Sequence, residues 1–207
     1  MVLQADRDRA REAKKPSRQE KLRHLDAALS FVKSFRLAID VGAHVGNWTK
    51  VMASRFERVL AFEPYPPNQE RWRRNMEGVA NATLVDLAVG DENSYVRLQG
   101  EKHSKHFCIK VPGYGADSDG RMIKLDDYAF TDLDFLKVDT EGADALVLKG
   151  AAETIRRCRP VVIVESVPRF EARYGLPEGA PMKFLESLGA KRVWENWRDY
   201  VYVFPEV

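Results

Sequence analysis

The sequence predicts an open, doubly wound α/β fold, and three observations carry that expectation. Short apolar runs of strand length alternate with segments of helical periodicity along most of the chain. These runs are mainly apolar instead of alternating with polar residues, as strands buried on both faces of a parallel sheet are. The last two runs lie too close together for a crossover helix, which makes them an antiparallel pair at a sheet edge.

In chain order, Ser17–Phe35 is expected to be an amphipathic helix, with Leu22, Leu25, Leu29 and Val32 on one stripe and Pro16 just before it. Strand Leu37–Val41 and helix Asn47–Phe56 follow, then strand Arg58–Phe62, helix Asn68–Glu77 and strand Ala82–Val89. A fourth strand, Leu133–Val138, leads into one helix from Gly142 to Cys158. A fifth, Val161–Glu165, precedes helix Pro181–Leu188, and Lys191–Trp194 with Tyr200–Phe204 form the closing pair. The segment Ser94–Tyr128 interrupts the alternation. Its β-like runs Tyr95–Leu98 and Phe107–Val111, and its glycines Gly113, Gly115 and Gly120, point to a small antiparallel insertion or a flap over the ligand-binding edge.

A chain of 207 residues, 44% hydrophobic and 31% charged, suffices for one domain with a substantial core. No apolar run approaches the roughly 20 residues that cross a bilayer, so no membrane partner is expected. The polar N-terminus lacks the apolar stretch of a secretory signal. Two widely spaced cysteines, Cys108 and Cys158, argue against a disulfide framework and for a reducing, cytoplasmic location. Charge is uneven. Met1–Arg23 holds eight Lys/Arg against four Asp/Glu, so with a whole-chain net of +2 the remainder carries −2. The organisation read from this is a basic arm and helix over 1–35, then a main domain over 36–207 with its insertion at 94–128. The arm suits phosphates or an acidic partner, or is a solvated tail.

The most informative stretch is Ile39–Trp48, where a strand ends at Asp40, turns through Gly42, Ala43, His44 and Gly46, and enters a helix near Asn47. Gly42 and Gly46 let a ligand approach the backbone, and ligands of such folds bind outside the carboxyl ends of the strands. A dinucleotide fingerprint needs glycine where His44 and Asn47 stand, and no phosphate-cradling Gly-Lys-Ser/Thr run exists. S-adenosylmethionine (SAM), a cationic sulfonium without phosphates, suits a loop opened by an acidic residue. Glu63, closing Leu60-Ala61-Phe62-Glu63, lies 23 positions after Asp40, near the ~20 expected for a carboxylate that takes ribose hydroxyls. The third strand's end, with Asp86 and the backbone around Ala88, is the candidate for adenine.

These pieces together resemble the FkbM-type SAM-dependent methyltransferases. The matching blocks are Ile39–Gly46, Ala61–Pro64, Ala88–Asp91, Leu125–Asp127, Phe135–Gly142, Leu148–Ala151 and Arg159-Pro160 leading to Val164-Glu165. The run Lys137-Val138-Asp139-Thr140-Glu141-Gly142 is the most specific. The resemblance spans about residues 36 to 166. It implies a Rossmann-like sheet of seven strands with the last antiparallel, and SAM across Asp40–Gly46, Glu63 and Asp86–Val89. It further implies methylation of a hydroxyl on a sugar or secondary metabolite, with S-adenosylhomocysteine (SAH) as product.

Methyl transfer to an alcohol needs a positioned nucleophile and a base for its proton. Asp139 and Glu141, just past the fourth strand, are the candidate catalytic pair. At i and i+2 on an extended end they can face the same side, each raising the other's proton affinity. The same carboxylates suit a divalent metal, while a cofactor contact for Asp139 or a helix cap for Glu141 are the plainer roles. His44 is read as ordering its loop. His103 and His106 are further candidate bases, and Glu165 an acceptor-side residue. Trp194, Trp197, Tyr200 and Tyr202 are expected mainly to pack the hairpin. The acceptor is expected to be a small molecule or glycan. A nucleic-acid methyltransferase using the basic arm is the alternative, although the Asn/Asp-Pro-Pro-aromatic run of adenine-amino enzymes is missing after the fourth strand. A SAM-binding module without turnover is another, and a nicotinamide oxidoreductase is disfavoured by His44 and Asn47. Nothing in the sequence sets the oligomeric state.

Overall fold

A computed structural model describes residues 18–101, 105–111 and 118–205. The basic arm through Ser17, His103, Gly113 and Gly115 lie outside the described residues. Seven strands form the main sheet: β1 (Leu37–Val41), β2 (Arg58–Phe62), β3 (Ala82–Val85), β8 (Leu133–Val138), β9 (Val161–Glu165), β10 (Lys191–Asn196) and β11 (Asp199–Val203). Their order is β10-β11-β9-β8-β1-β2-β3. β1 pairs in parallel with β2 and β8, β2 with β3, and β8 with β9. β11 runs antiparallel to both neighbours, closing the sheet as the sequence predicts. Every residue of β1 and β9 is buried.

One consequence governs the site. From β1 the chain steps outward through β2 and β3, then returns to β8 on the other side of β1 and steps outward the opposite way. The loops leaving β1 and β8 therefore diverge, and a crevice opens between them at the carboxyl ends of the strands.

Helices cover both faces. Helix α1 (Arg18–Leu29) sets Leu25, Ala28 and Leu29 against Ala38, Phe135, Ile163 and Val201, and α2 (Asn47–Ala53) adds Met52 to that layer. On the opposite face, α4 (Asp144–Lys149), α5 (Ala152–Cys158) and α6 (Ala180–Ser187) pack Val147, Leu148, Ile155 and Leu185 on Leu37, Ile39, Leu136 and Val162. Helix α3 (Pro66–Asn75) begins two residues earlier than expected, because Pro66 and Pro67 suit a first turn whose N–H groups have no intrahelical partner. Helix α1 stops at Leu29, short of Phe35. There its hydrogen bonds tighten to Phe31 N–H on Ala28 O and Val32 N–H on Leu29 O. No helix among the described residues is long and apolar enough to cross a membrane.

Two expected elements divide. The run Ala82–Val89 splits into β3 and β4 (Ala88–Val89), and β4 leaves the main sheet to pair in parallel with β7 (Gly120–Ile123). With β5 (Ser94–Glu101) and β6 (Lys105–Val111) these form a second sheet, β4-β7-β5-β6. Within the insertion β5 pairs antiparallel with both β6 and β7, as expected, and the parallel pairing is with β4, which precedes it. The single helix expected over Gly142–Cys158 breaks at Gly150. A Cβ there would stand 1.8 Å from Gly90 O, Gly150 O accepts the Asp126 N–H, and the Asp126 carboxylate caps α5 by accepting the N–H groups of Glu153 (3.1 Å) and Thr154 (2.8 Å). Three blocks of the family resemblance, around Gly90, Asp126 and Gly150, meet in this joint.

Candidate functional site

β1 carries Asp40, and β8 carries Asp134 and Lys137, in otherwise apolar strands, and their register sets Asp40 opposite Lys137. Lys137 Nζ lies 2.9 Å from Asp40 Oδ1 and donates to Gly42 O (2.7 Å) and Val41 O (3.1 Å). Thr49 Oγ1 donates to Asp40 Oδ2 (2.6 Å) and accepts from Trp72 Nε1 (3.1 Å). All four residues are buried. Burial works against the Lys137 charge, but Asp40 and Asp139 outweigh it and its pKa is raised. Asp40 thus anchors the root of the loop from behind, fully withdrawn from solvent.

The loop itself is held by backbone geometry. Gly42 and Ala43 N–H both donate to Phe62 O at 3.0 Å, and the chain takes left-handed φ at Gly42 (75°), His44 (53°) and Gly46 (84°). A Cβ at Gly42 would stand 1.9 Å from Asp139 O, and one at Gly46 2.8 Å from the Trp72 ring. The glycines are required because the protein packs onto itself there, a reason different from the expected approach of a ligand.

At the end of β2, Glu63 is only 6% exposed. Its Oε2 accepts the His44 N–H (2.8 Å) and its Oε1 the Tyr65 N–H (2.9 Å). Burial raises its pKa, opposed by these two bonds. Gln69 Nε2 donates to Glu63 O at 2.8 Å, locking the strand end to α3. Burial, then Lys137, lowers the pKa of His44, while Asp139 and Glu141 pull it upward as near carboxylates do, so the imidazole is neutral at neutral pH. Asp86 is exposed at the end of β3 beside this strand. Ala88 is buried in β4 against Val96 and Met122.

On the other side of the crevice, Asp139 N–H donates to Val41 O (3.1 Å) and the chain then turns, with Glu141 at φ 56° and Gly142 at φ 112°. Asp139 and Glu141 are both half-buried, but they stand on a turn and not on the extended end expected for them. The turn is held by Asp144, a residue the sequence reading passed over. Its buried carboxylate accepts the N–H groups of Thr140 and Gly142, each at 3.1 Å, and burial followed by Asp139 pushes its pKa up to about 7. The signal for it was an aspartate just ahead of the apolar Ala145–Leu148 run, the place of a helix-start acceptor. Lys137 was equally readable: a lysine and an aspartate inside neighbouring apolar strands need one another.

Further along this edge, Glu165 is buried at the end of β9, and Ser166 Oγ donates to Glu171 Oε1 (2.6 Å). His106 lies in β6 opposite Gly100. Trp194, Tyr200 and Tyr202 pack into the cores, as expected of the hairpin aromatics. No group of three or more His, Cys, Asp or Glu side chains among the described residues is placed to hold a metal ion.

The site can be tested against the sulfonium nucleoside that the resemblance implies. Native proteins rarely leave a buried polar atom without a partner, yet His44 Nε2, Asn68 Oδ1 and Thr140 Oγ1 have none. They sit on the segments that leave β1, β2 and β8, around a carboxylate that retains acceptor capacity. These residues fit a polar nucleoside.

The sequence from residue 40 to 191 matches the methyltransferase FkbM domain. No functionally curated protein matches the chain. Among solved structures it is similar to methyltransferase FkbM from Methylobacillus flagellatus, with TM-score 0.54 and 19% identity over 83% of this chain and 44% of that one. This chain therefore spans less than half the length of that protein. It is also similar to precorrin 8w decarboxylase from Methanobacterium thermoautotrophicum, with TM-score 0.53 and 17% identity over 92% of each chain. A third is the N-methyltransferase NodS from Bradyrhizobium japonicum in complex with SAH, with TM-score 0.57 and 10% identity over 95% of this chain and 91% of that one. Identities this low speak for fold alone. The domain match instead covers most of the chain, including the loops after β1, β2 and β8, and on that ground the chain belongs to the FkbM family of SAM-dependent methyltransferases.

Proposed function

We propose that this protein transfers the methyl group of SAM to a hydroxyl oxygen of a sugar or other small metabolite in a reducing cytoplasm. The observation that carries the cofactor half of this reading is Glu63. It is a buried carboxylate beside the switch point, held by two backbone N–H groups and the Asn68 side chain, with acceptor capacity left for a ribose hydroxyl. The Gly42-Ala43-His44 backbone and Gly46 flank the methionine portion, and Asp86 with the Ala88 backbone flanks the adenine. Asp40 serves from behind the loop through Lys137 and Thr49.

When bound, the cofactor supplies an electrophilic methyl carbon with a neutral thioether as leaving group. What this chain must add is alignment of the acceptor oxygen and a place for its proton. Asp139 takes that proton as the carbon–oxygen bond forms, and Glu141 beside it orients the hydroxyl. Both carboxylates lie half-buried near His44, at the edge of the loop after β8.

Titration calorimetry with SAM and SAH tests the cofactor half. Both should bind, and Glu63→Ala should weaken each by about 1–3 kcal/mol, the scale for losing hydrogen bonds to a charged group. Wild-type affinity in the variant would remove Glu63 from the ribose, and no binding to the parent chain would end the reading. Transfer of an isotope-labelled methyl to hydroxyl-bearing metabolites, with the product identified by mass, tests the acceptor half. A label found only on nitrogen or on nucleic acid would overturn it.

A further inference from the structure

Helix α3 is polar along its length, yet the side chains it buries are Asn68, Gln69 and Trp72. A buried polar group is costly unless its hydrogen bonds are met inside the protein. Trp72 Nε1 is met by Thr49, and Gln69 Nε2 by Glu63 O. Asn68 is met only in part. Pro66 and Pro67 open the helix and Asn68 N–H closes on Tyr65 O (3.0 Å), which fixes this residue in the first turn, beside the end of β2. Its side-chain amide bonds the Glu63 carboxylate. An ionised carboxylate can only accept, so that contact takes Nδ2 and leaves Oδ1 as the atom still to be matched. Asn68 is only 3% exposed, and its Oδ1, sealed from water, has no partner among the described residues.

Glu63 has the opposite shortage. Its carboxylate offers about four lone-pair sites. The His44 N–H, the Tyr65 N–H and the Asn68 amide each take one. A ribose brings two neighbouring hydroxyls, each with a proton to donate, so one of them finds no acceptor left on Glu63. Asn68 Oδ1 is a buried acceptor without a donor, tied through its own amide to that same carboxylate. The two shortages complement each other. The adenine amine is a donor as well, but the proposed arrangement sets it at the end of β3, one strand further out.

We infer that Asn68 determines specificity for the sugar of the cofactor: one ribose hydroxyl donates to Glu63 and its neighbour to Asn68 Oδ1, so that the site demands an intact cis-diol and rejects either deoxynucleoside. This rests on the proposed nucleoside cofactor. Because Asn68 also holds Glu63 in place, the decisive measurement is which hydroxyl each residue serves, not how much affinity each one supplies.

Full-length protein is titrated by calorimetry with SAH, its 2′-deoxy and 3′-deoxy analogues, and the analogue carrying hypoxanthine in place of adenine. In the parent chain each deoxy analogue should bind about tenfold or more weaker than SAH, the loss expected when a buried acceptor goes unmatched. Glu63→Ala should erase the penalty for one hydroxyl. Asn68→Ala should erase the penalty for the other, bringing that analogue within about twofold of SAH, and should leave the response to hypoxanthine as in the parent. If both variants erase the penalty for the same hydroxyl, Asn68 acts only by holding Glu63 and the inference fails. It fails too if Asn68→Ala erases the hypoxanthine penalty instead, since the donor would then be the adenine amine. The parent alone decides the matter should a variant not fold: a single costly hydroxyl leaves Asn68 with nothing to accept. Tight SAH binding with either of these failures would keep the cofactor reading and remove only Asn68, whereas a parent chain that binds neither SAH nor any analogue would overturn both.

Discussion

The two sides of the crevice are built on opposite plans. On the β1–β2 side the carboxylates are largely spent within the protein, Asp40 on Lys137 and Thr49 and Glu63 on two backbone N–H groups and Asn68, while His44 Nε2 and Asn68 Oδ1 keep no partner. On the β8–β9 side the buried carboxylates hold turns, and Arg169, Arg173 and Arg198 lie over aromatic rings. A surface with its carboxylates already committed suits one invariant ligand and fails as a unit. Side chains laid over rings at the surface can be altered one at a time. On the proposed function, the first side holds the cofactor and the second faces the acceptor.

The sharpest way to break that division is at the boundary residue Asp139. Asp139→Asn keeps the shape and removes the base, so turnover should fall by about 10²–10⁴-fold, the usual share of a general base, while SAH affinity changes little. Comparable losses in both quantities, measured by single-turnover rates and calorimetry, would move Asp139 to the cofactor side. The next largest effect is expected at Lys137. Lys137→Met leaves Asp40 buried without its cation and should cost about 3–5 kcal/mol in denaturant unfolding, whereas pairing it with Asp40→Leu should recover much of that loss. A single variant as stable as the parent would show that the ion pair does not hold the loop.

How much of this was readable from the residues alone follows the same division. Strands β1, β2, β8 and β9 appear with the predicted ends, because each is an apolar run bounded by charges or turns and buried on both faces. The place of Glu63 just after β2 was readable too, since it is set by fold topology. Asp144 and the early start of α3 had local signals, but the larger misses are long-range. The break at Gly150 depends on Gly90, sixty residues earlier, and on a cap from Asp126. The departure of β4 depends on its pairing with β7, whose Gly-Arg-Met-Ile run looks like no strand in isolation. Asp40 was placed correctly at the mouth of the loop, but its facing was not readable: only the register with Lys137 turns it inward.

Asp144 supplies the smallest and most discriminating test, because it asks whether the turn after β8 carries a charge at working pH. Its folded pKa of about 7 stands well above the ordinary aspartate value of 3.8, with burial as the first cause and Asp139 the second. The folded protein therefore keeps a proton there that the unfolded chain has already released. Stability from this group is present in full below pH ~4 and is lost as pH rises toward about 7, then stays level. Asp144→Asn mimics the protonated form. Relative to the parent it should gain about 1–3 kcal/mol in unfolding free energy between pH 5 and pH 8, a figure kept below the full linkage because buried sites relax. Urea midpoints at the two pH values measure the gain, and an unchanged gap would mean that the carboxylate is ionised throughout. Repeating the pair in an Asp139→Asn background sharpens the result. If the neighbouring charge helps to hold the proton on Asp144, the gain should shrink; if burial alone does so, the gain should persist, and Asp139 would then be free to act as a base without shifting its neighbour.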